Sequence, residues 1–319
     1  MNRLIVCCLI MAAAPVAQAD EFPSSPVRFV VPSPPGGTAD LVARLLGKKL
    51  AETWRHSVVI DNRTGGTGVA GADLVAKATP NGYTLLVTAP GPITTGVVML
   101  DSLPYDPVKD LAPITLLAIT PSFLMVGPNV PVKSVGELIA LAKSRPGKLN
   151  YASSGVGNPS HLQGAMLANI AGIDIVHVPY KGGALALTDL VGGHIEIMFN
   201  AVPAMLPMVK ANKVRALAVT SPKRFGGMPE VPTMIESGFP QIVSTAWYGA
   251  LAPAKTPKPL IKKLHADMIA ALAAPEVREA LLGAGSEVVG NSPEQFAAFM
   301  RKETEDARKL IKLSGAKNK

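Results

Sequence analysis

The chain has 319 residues, of which 48% are hydrophobic and 17% are charged, so it can bury a large core and is not a disordered polypeptide. Aromatic residues make up 5%, and glycine and proline number 29 each, which excludes a collagen, a coiled coil and an aromatic-rich nucleic-acid platform. The formal charge is +8, from 31 basic and 23 acidic residues, and it favours anions as ligands.

The first nineteen residues have the pattern of a secretory signal peptide. Arg3 precedes an apolar run over residues 4–14, and Ala17-Gln18-Ala19 is a small-x-small motif that predicts cleavage after Ala19. A membrane anchor is the alternative, but the run is shorter than the roughly 20 residues that span a bilayer. Both cysteines lie in this segment, so the mature chain would have no disulfide and no thiolate site. The sequence therefore predicts a soluble exported protein.

Beyond this segment, short β-branched runs alternate with longer amphipathic ones, which is typical of parallel strands joined by crossover helices. The predicted strands are residues 27–31, 58–61, 83–88, 123–126, 149–152, 173–178, 195–200, 214–220 and 248–252. The predicted helices are residues 39–54, 69–78, 135–143, 161–171, 184–191, 202–211, 258–273, 275–282 and 293–313.

Two proline-bearing stretches, near residues 113–121 and 236–246, divide this series into two α/β lobes and a helical end. We expect residues 20–121 and 247–319 to form the first lobe and residues 122–246 the second, so that the chain crosses twice between them. Each lobe would be a mixed sheet flanked by helices. Ligands of open α/β sheets bind beyond the carboxyl ends of the strands, so the loops after the strands are the candidate site.

The loop after the first strand is rich in glycine and proline and leads into a helix. Gly36 and Gly37 would let the backbone approach a ligand, and the free amides of the first helical turn favour an anion there. Thr38 is a candidate cap for this helix, and Asp40 suits the helix dipole. A plain strand-to-helix turn with a good cap explains the same residues.

Residues 66–71 match the dinucleotide fingerprint G-x-G-x-x-G and open a helix. The strand before them ends at Asp61, which leaves extra loop, and no acid stands between Asp73 and Asp101 to bind a ribose. Glycine-rich capping of the second helix is the better interpretation, and we predict no cofactor.

The loop after residue 152 is rich in hydroxyl groups and also precedes a helix. Ser153 and Ser154, with the amides of the following residues, can donate hydrogen bonds to a carboxylate or a carbonyl. An exported serine hydrolase that uses Ser153 or Ser154 is the alternative, although no G-x-S-x-G motif is present. His161 is interpreted as a structural residue at the helix terminus.

Tyr180 and Lys181 follow one later strand, and Asn200 follows another. They can supply a ring face, a cation and an amide, whereas packing and solvation are the alternatives for Tyr180 and Lys181. The five histidines show no metal-binding spacing, so we predict no metal. The basic residues are scattered, which argues against a nucleic-acid partner.

The chain resembles the solute-binding receptors of tripartite tricarboxylate transporters, called Bug receptors. The resemblance runs from about Val27 to Gly315 and rests on the order and spacing of several motifs. They are Pro35-Gly36-Gly37 with Asp40 and Arg44, VIDNR at 59–63 with Gly65, Gly66 and Gly68, PNGYTLL at 80–86, residues 151–162, HVPYKG at 177–182, and ALAVT at 216–220.

The resemblance implies a two-lobed periplasmic-binding-protein-like fold of type II, with no catalysis. A small organic acid or related carbonyl compound would lie between the lobes, held largely by backbone amides and waters, for delivery to membrane transporter subunits. We expect a periplasmic monomer. The ligand-binding residues would be Ser33, Pro35, Gly36, Gly37, Asp40, Thr88, Ala89, Ser153, Ser154, Gly155, Asn158, Tyr180, Lys181 and Asn200.

Three residues depart from the family pattern. Ser33 stands where members usually carry an aromatic residue, Asn200 where an Asp is usual, and Ala165 where a Glu is common. The loop at residues 89–92 is also unusually rich in proline. These departures affect the identity of the ligand more than the fold.

Overall fold

The computed structural model describes residues 22–64, 68–100, 102–155, 159–180 and 183–314. The strands are β1 (Val27–Val31), β2 (Val58–Asn62), β3 (Thr84–Thr88), β4 (Leu111–Val126), β5 (Leu149–Ser153), β6 (Ile175–Pro179), β7 (Ile197–Ala201), β8 (Arg215–Val219), β9 (Thr245–Pro253) and β10 (Glu287–Val288). The helices are α1 (Thr38–Trp54), α2 (Val69–Ala76), α3 (Gly96–Met99), α4 (Val135–Ser144), α5 (Pro159–Ala171), α6 (Gly183–Val191), α7 (Val202–Lys210), α8 (Lys258–Ala273), α9 (Pro275–Gly283) and α10 (Pro293–Ser314). A π-helical turn, Gly91–Thr95, precedes α3.

The strands form two mixed groups that share β4. In the first group the order is β2-β1-β3-β9-β4, with β10 also paired to β4. In the second group β4 lies between β8 and β7, followed by β5 and β6. Strands β1, β2 and β3 are mutually parallel, as are β5, β6 and β7, whereas β9 and β4 pair antiparallel with their neighbours. The predicted two-lobed α/β fold with mixed sheets is therefore confirmed.

Strand β4 is the main departure from the sequence-based expectation. A strand was predicted only over residues 123–126, because two prolines interrupt the preceding run, yet one strand extends over Leu111–Val126. Pro113 lies where the register against β9 shifts, and such an irregularity tolerates a missing N–H group. Pro121 is the last β4 residue paired with β9, at the point where the strand passes to its second set of partners.

The registers fix the direction in which the parallel strands point. Strand β3 ends at Thr88, which pairs with Gly249 of the antiparallel strand β9. Beyond this pair, in the direction in which β3 points, lies the first residue of β9, Thr245, which pairs with Pro121 of β4. From the other side, β7 ends at Ala201, opposite Ser122. The carboxyl ends of the parallel strands in both groups therefore point toward the crossing at residues 121–122.

Thr220 ties together the two chain segments that cross at this point. Its backbone N–H donates to the carbonyl of Ser122 (2.9 Å), and its hydroxyl accepts from the Ser122 N–H (2.9 Å). The same hydroxyl donates to the carbonyl of Ser244 (2.6 Å), and the Ser244 N–H donates to the Thr220 carbonyl (3.1 Å). Thr220 is fully buried, so these bonds are shielded from water.

Helices cover both faces of the first group. Leu46 of α1 and Leu264 of α8 are fully buried in one core, and Trp247 of β9 packs edge-on against Phe296 of α10 in another, with ring centroids 5.6 Å apart. Each fully buried side chain of this size contributes about 1.5 to 3 kcal/mol. Helix α10 packs on β4 and the π-helical turn, and also contacts α5 of the second group.

The second group has a core on each face as well. Leu138 of α4 and Leu167 of α5 are buried on one face, and Leu190 of α6 and Met205 of α7 on the other. In the described ranges, every helix is too short or too polar to span a lipid bilayer.

Candidate functional site

Asp40 organises the loop that follows β1. One carboxylate oxygen accepts hydrogen bonds from the Gly36 N–H (2.9 Å) and from Nε of Arg44 (2.8 Å). The other accepts from Nδ2 of Asn62 (3.0 Å), which also donates to the carbonyl of Ser33 (3.0 Å). Asp40 thus holds the loop at Gly36 directly and at Ser33 through Asn62.

The charge of Asp40 depends on these contacts. Burial by itself favours the neutral acid, but the hydrogen bonds from Arg44, Gly36 and Asn62 outweigh it and leave the pKa of Asp40 below its usual value. Asp40 is only 3% exposed. Its carboxylate therefore shapes the loop through contacts within the protein, and its predicted place among the ligand contacts stays a prediction.

The prediction that Thr38 caps α1 is wrong. The helix begins at Thr38, its N-cap is Gly37, and no side chain caps it. Gly36 has φ +82°, a left-handed conformation that favours glycine, and Pro35 and Gly36 are exposed. The loop therefore presents backbone to its surroundings.

The glycines near the start of α2 serve close packing. A Cβ on Gly68 would lie 2.9 Å from Cβ of Pro32, and one on Gly71 would lie 3.0 Å from Cγ of the same proline. These contacts let α2 approach the loop after β1. They account for two glycines of the fingerprint without any nucleotide; Gly66 lies outside the described residues.

Ser33 and Thr88 lie at the carboxyl ends of neighbouring strands. The Ser33 hydroxyl oxygen is buried and has no hydrogen-bond partner among the described residues. Thr88 is 1% exposed, and its hydroxyl lies 3.1 Å from the carbonyl of Ala89, to which it donates. Ala89, half-buried, leads into the π-helical turn, which the sequence did not predict.

The second hydroxyl-rich loop is held by its own side chains. Ser153 ends β5 and is fully buried, with its hydroxyl 2.7 Å from Nε2 of His177. The hydroxyl of Ser160, on the first turn of α5, accepts from the Ser154 N–H (3.0 Å) and lies 3.0 Å from the Ser154 hydroxyl. The loop is thereby joined to both β6 and α5.

His177 lies in a stack of three rings. Tyr151 pairs with it across β5 and β6, with ring centroids 4.9 Å apart, and His161 of α5 stacks on it at 4.0 Å. Burial, with a smaller contribution from His161, lowers the pKa of His177 to about 4, and burial also lowers the pKa of His161. Both imidazoles are neutral at pH 7.

Tyr180 and Asn200 also make internal contacts. The Tyr180 hydroxyl donates to Asp189 of α6 at 2.6 Å. Burial and Asp189 raise the pKa of Tyr180 to about 12. The Asn200 side-chain oxygen accepts from the Ala201 N–H (2.9 Å), and its amide nitrogen would lie 2.9 Å from a Cβ on Gly183. Asn158 and Lys181 lie outside the described residues.

Asn62, Ser160 and His177 were not among the predicted site residues, although each holds one of the two loops. Their partners lie on other elements, so no local pattern marks them. Within the described ranges, no group of three or more His, Cys, Asp or Glu residues could hold a metal ion.

The contact between Ser153 and His177 has the length expected of a nucleophile and its base. However, Ser153 is 0% exposed, and among the described residues no acid bonds the other nitrogen of His177. An ester could not reach this hydroxyl. The pair therefore gives no support to the hydrolase alternative.

Comparisons with known proteins identify the family. A family model described as "Tripartite tricarboxylate transporter family receptor" matches residues 42–316. The chain is 35% identical to the Protein BugT of Bordetella pertussis, over 96% of this chain and 94% of that protein.

Two solved structures from R. palustris are similar over nearly their whole length. Rpa4515 with adipate is 34% identical, with a TM-score of 0.77, and covers 92% of this chain and 99% of its own. MatC (Rpa3494) with bound malate is 32% identical, with a TM-score of 0.72, and covers 91% of this chain and 100% of its own. The chain belongs to the tripartite tricarboxylate transporter receptors, or Bug receptors, a family of substrate-binding proteins and not of enzymes.

Proposed function

We propose that this protein is a periplasmic receptor that binds a small organic carboxylate between its two groups of strands and delivers it to membrane transporter subunits. The observation that carries the proposal is the convergence of the parallel strand ends on the crossing at residues 121–122. The loops after β1, β3 and β5 follow the carboxyl ends of these strands, and α/β proteins bind ligands beyond such ends.

The chemistry of the loops supports an anionic ligand held by neutral donors. The described residues in the loops after β1, β3 and β5 carry no charged side chain, and the carboxylate of Asp40, on the first turn of α1, is already bonded to Gly36, Arg44 and Asn62. A carboxylate would therefore meet amide N–H groups and hydroxyls. Similar proteins hold adipate and malate, which are small organic carboxylates.

The remaining expectations belong to the same proposal. Residues 1–19 would be a signal peptide cleaved after Ala19, and the mature protein would act as a monomer. Residues 20–121 and 247–319 would move as one lobe and residues 122–246 as the other, about the segments that Thr220 joins. Closure of the lobes would bury the ligand.

Isothermal titration calorimetry of the whole mature chain with adipate, malate and the diamide of adipic acid tests the proposal. We expect saturable binding of a carboxylate, with no binding of the diamide and with the ligand recovered unchanged. Equal binding of the diamide, or conversion of the ligand, would contradict a carboxylate receptor.

A matched pair of glycine variants locates the binding site. Gly36 (φ +82°) and Gly238 (φ +90°) both have left-handed backbones, and a Cβ on either would meet no atom within 4 Å. Gly36→Ala and Gly238→Ala should each cost about 1 to 2 kcal/mol of stability. Only Gly36→Ala should weaken carboxylate binding, by about tenfold, because it distorts the loop whose amides hold the anion. Equal affinities of the two variants would move the site away from this loop.

A further inference from the structure

His177 has no place in the set of predicted ligand contacts, yet its ring is held on three sides. Tyr151 covers one face at 4.9 Å and His161 the other at 4.0 Å. Its Nε2 lies 2.7 Å from the Ser153 hydroxyl. The ring is therefore fixed in orientation, with one nitrogen aimed at the end of β5.

The Ser153 hydroxyl joins this ring to the first turn of the second loop. It accepts a hydrogen bond from the Gly155 N–H at 3.2 Å and donates one to the Gly155 carbonyl at 3.1 Å. Gly155 has φ +134°, a conformation that favours glycine, so the turn needs an anchor outside itself. The nearby carbonyl of Ser153 also accepts from the Tyr180 N–H at 3.0 Å.

The single proton of the hydroxyl decides how these contacts share their bonds. The hydroxyl donates this proton to the Gly155 carbonyl, so Nε2 of the neutral imidazole carries the proton of the His177 contact and donates to the hydroxyl oxygen, which also accepts from the Gly155 N–H. Without the N–H group of His177, the Ser153 hydroxyl could rotate away from the Gly155 carbonyl, and the turn would lose the contact that orients this hydroxyl. The ring thus selects one arrangement of the turn.

We infer that His177 is a positioning residue, which holds the turn at residues 153–155 in its binding shape through the hydroxyl of Ser153. This inference rests on the proposed function, because it assigns the loop to the ligand. His177 acts at one remove and does not touch the ligand itself.

Four variants of the full mature chain separate this role from simple packing. His177→Phe keeps a stacked ring but removes the Nε2–H donor, and Ser153→Ala removes the hydroxyl with little change of volume. His177→Gln returns an N–H donor in place of Nε2. Tyr151→Phe is the control, because it keeps the ring against His177 and removes only a hydroxyl that forms no hydrogen bond to Ser153 or His177.

The first readout is hydrogen exchange of the Gly155 amide, which needs no ligand. We expect about tenfold faster exchange in His177→Phe and Ser153→Ala, a rate near the wild type in His177→Gln, and no change in Tyr151→Phe. Unchanged exchange in both His177→Phe and Ser153→Ala would overturn the inference.

The second readout is calorimetric affinity for adipate and malate. His177→Phe and Ser153→Ala should each weaken binding about tenfold, and the double variant should weaken it by the same tenfold, because both act on one contact. A hundredfold loss in the double variant would contradict action through Ser153. Faster Gly155 exchange with unchanged affinity, or no binding of either acid by the wild type, would count against the proposed function and leave the positioning role standing.

Discussion

Gly164 of α5 lies directly against the ring of Tyr151, so that a Cβ on this glycine would fall 2.3 Å from Cε2 of the tyrosine. The contact lets α5 pack closely on β5, and the same Tyr151 ring stacks on His177. Real Cβ atoms do not approach this closely, and Tyr151 is 3% exposed, so it has no free space to move into.

Gly164→Ala should therefore destabilise the protein by about 1 to 3 kcal/mol through overpacking. Gly136→Ala in α4 is the matched control, since its Cβ would meet nothing nearer than the Ser134 hydroxyl at 3.9 Å. Gly136→Ala should leave the free energy of unfolding equal to that of the wild type or raise it by up to about 1 kcal/mol, because alanine has a higher helix propensity than glycine. Urea unfolding of both variants measures the difference, and equal stabilities would show that the Tyr151 ring yields.

Asp40→Asn should lower stability by about 1 to 3 kcal/mol, because the amide cannot accept from Gly36, Arg44 and Asn62 at once. The control is Asp73→Asn, whose partner Lys77 is also four residues away but exposed. That pair should contribute less than about 1 kcal/mol. The pKa of Asp40 is lowered, so its contribution exists above about pH 4 and disappears as the pH falls further. Chemical denaturation at pH 7 and pH 3 checks both statements.

Thr220→Val should cost about 1 to 3 kcal/mol, because it leaves the buried N–H of Ser122 and carbonyl of Ser244 without their hydroxyl partner. Thr220→Ser keeps the hydroxyl and should lose less. Both stabilities are measured by thermal unfolding. If the valine variant is as stable as the serine variant, the hydroxyl does not hold the two crossing segments together.

Glu303 of α10 provides a prediction on pH. Burial, assisted by Asp306, raises the pKa of the half-buried Glu303 to about 7. An acid whose folded pKa is raised contributes stability below its unfolded value, and that stability is lost as the pH rises from about 4.5 to about 7. Glu303→Gln should therefore be more stable than the wild type at pH 8 and similar to it at pH 4.

Glu305→Gln on the exposed part of the same helix is the control, and it should follow the wild type at both pH values. Thermal unfolding across this pH range makes the comparison. A wild type as stable as Glu303→Gln at pH 8 would mean that Glu303 is ionised at little cost.

The regular elements were predictable from the sequence because their hydrophobic periods are undisturbed. The predicted strand at residues 27–31 and the predicted helix at 258–273 match β1 and α8 to the residue. Strand β4 was mostly missed because Pro113 and Pro121 usually end strands, and no local pattern shows that a register shift accommodates one of them. The π-helical turn at Gly91–Thr95 was missed for a similar reason, since Pro90 precedes it and Pro92 lies within it, in what resembles an open loop.

The loops of the candidate site were predictable, but the contacts within the protein that hold their side chains were not. Asp40 bonds to Asn62 and Ser153 bonds to His177, and these partners belong to other strands. Tyr180 likewise donates to Asp189 on the following helix. Such contacts arise only when several elements pack together, so a reading of residues one segment at a time does not reveal them.

The placement of β9 between β3 and β4 has a consequence for biosynthesis. The second group of strands needs only residues up to Val219, whereas the first group lacks β9 until Pro253 and β10 until Val288 have left the ribosome. Between the synthesis of β3 and that of β9, the nascent polypeptide therefore carries an unpaired hydrophobic edge on β3, the condition under which aggregation competes with folding. The second group of strands can therefore fold before the first group is complete, although the ribosome starts on the first group.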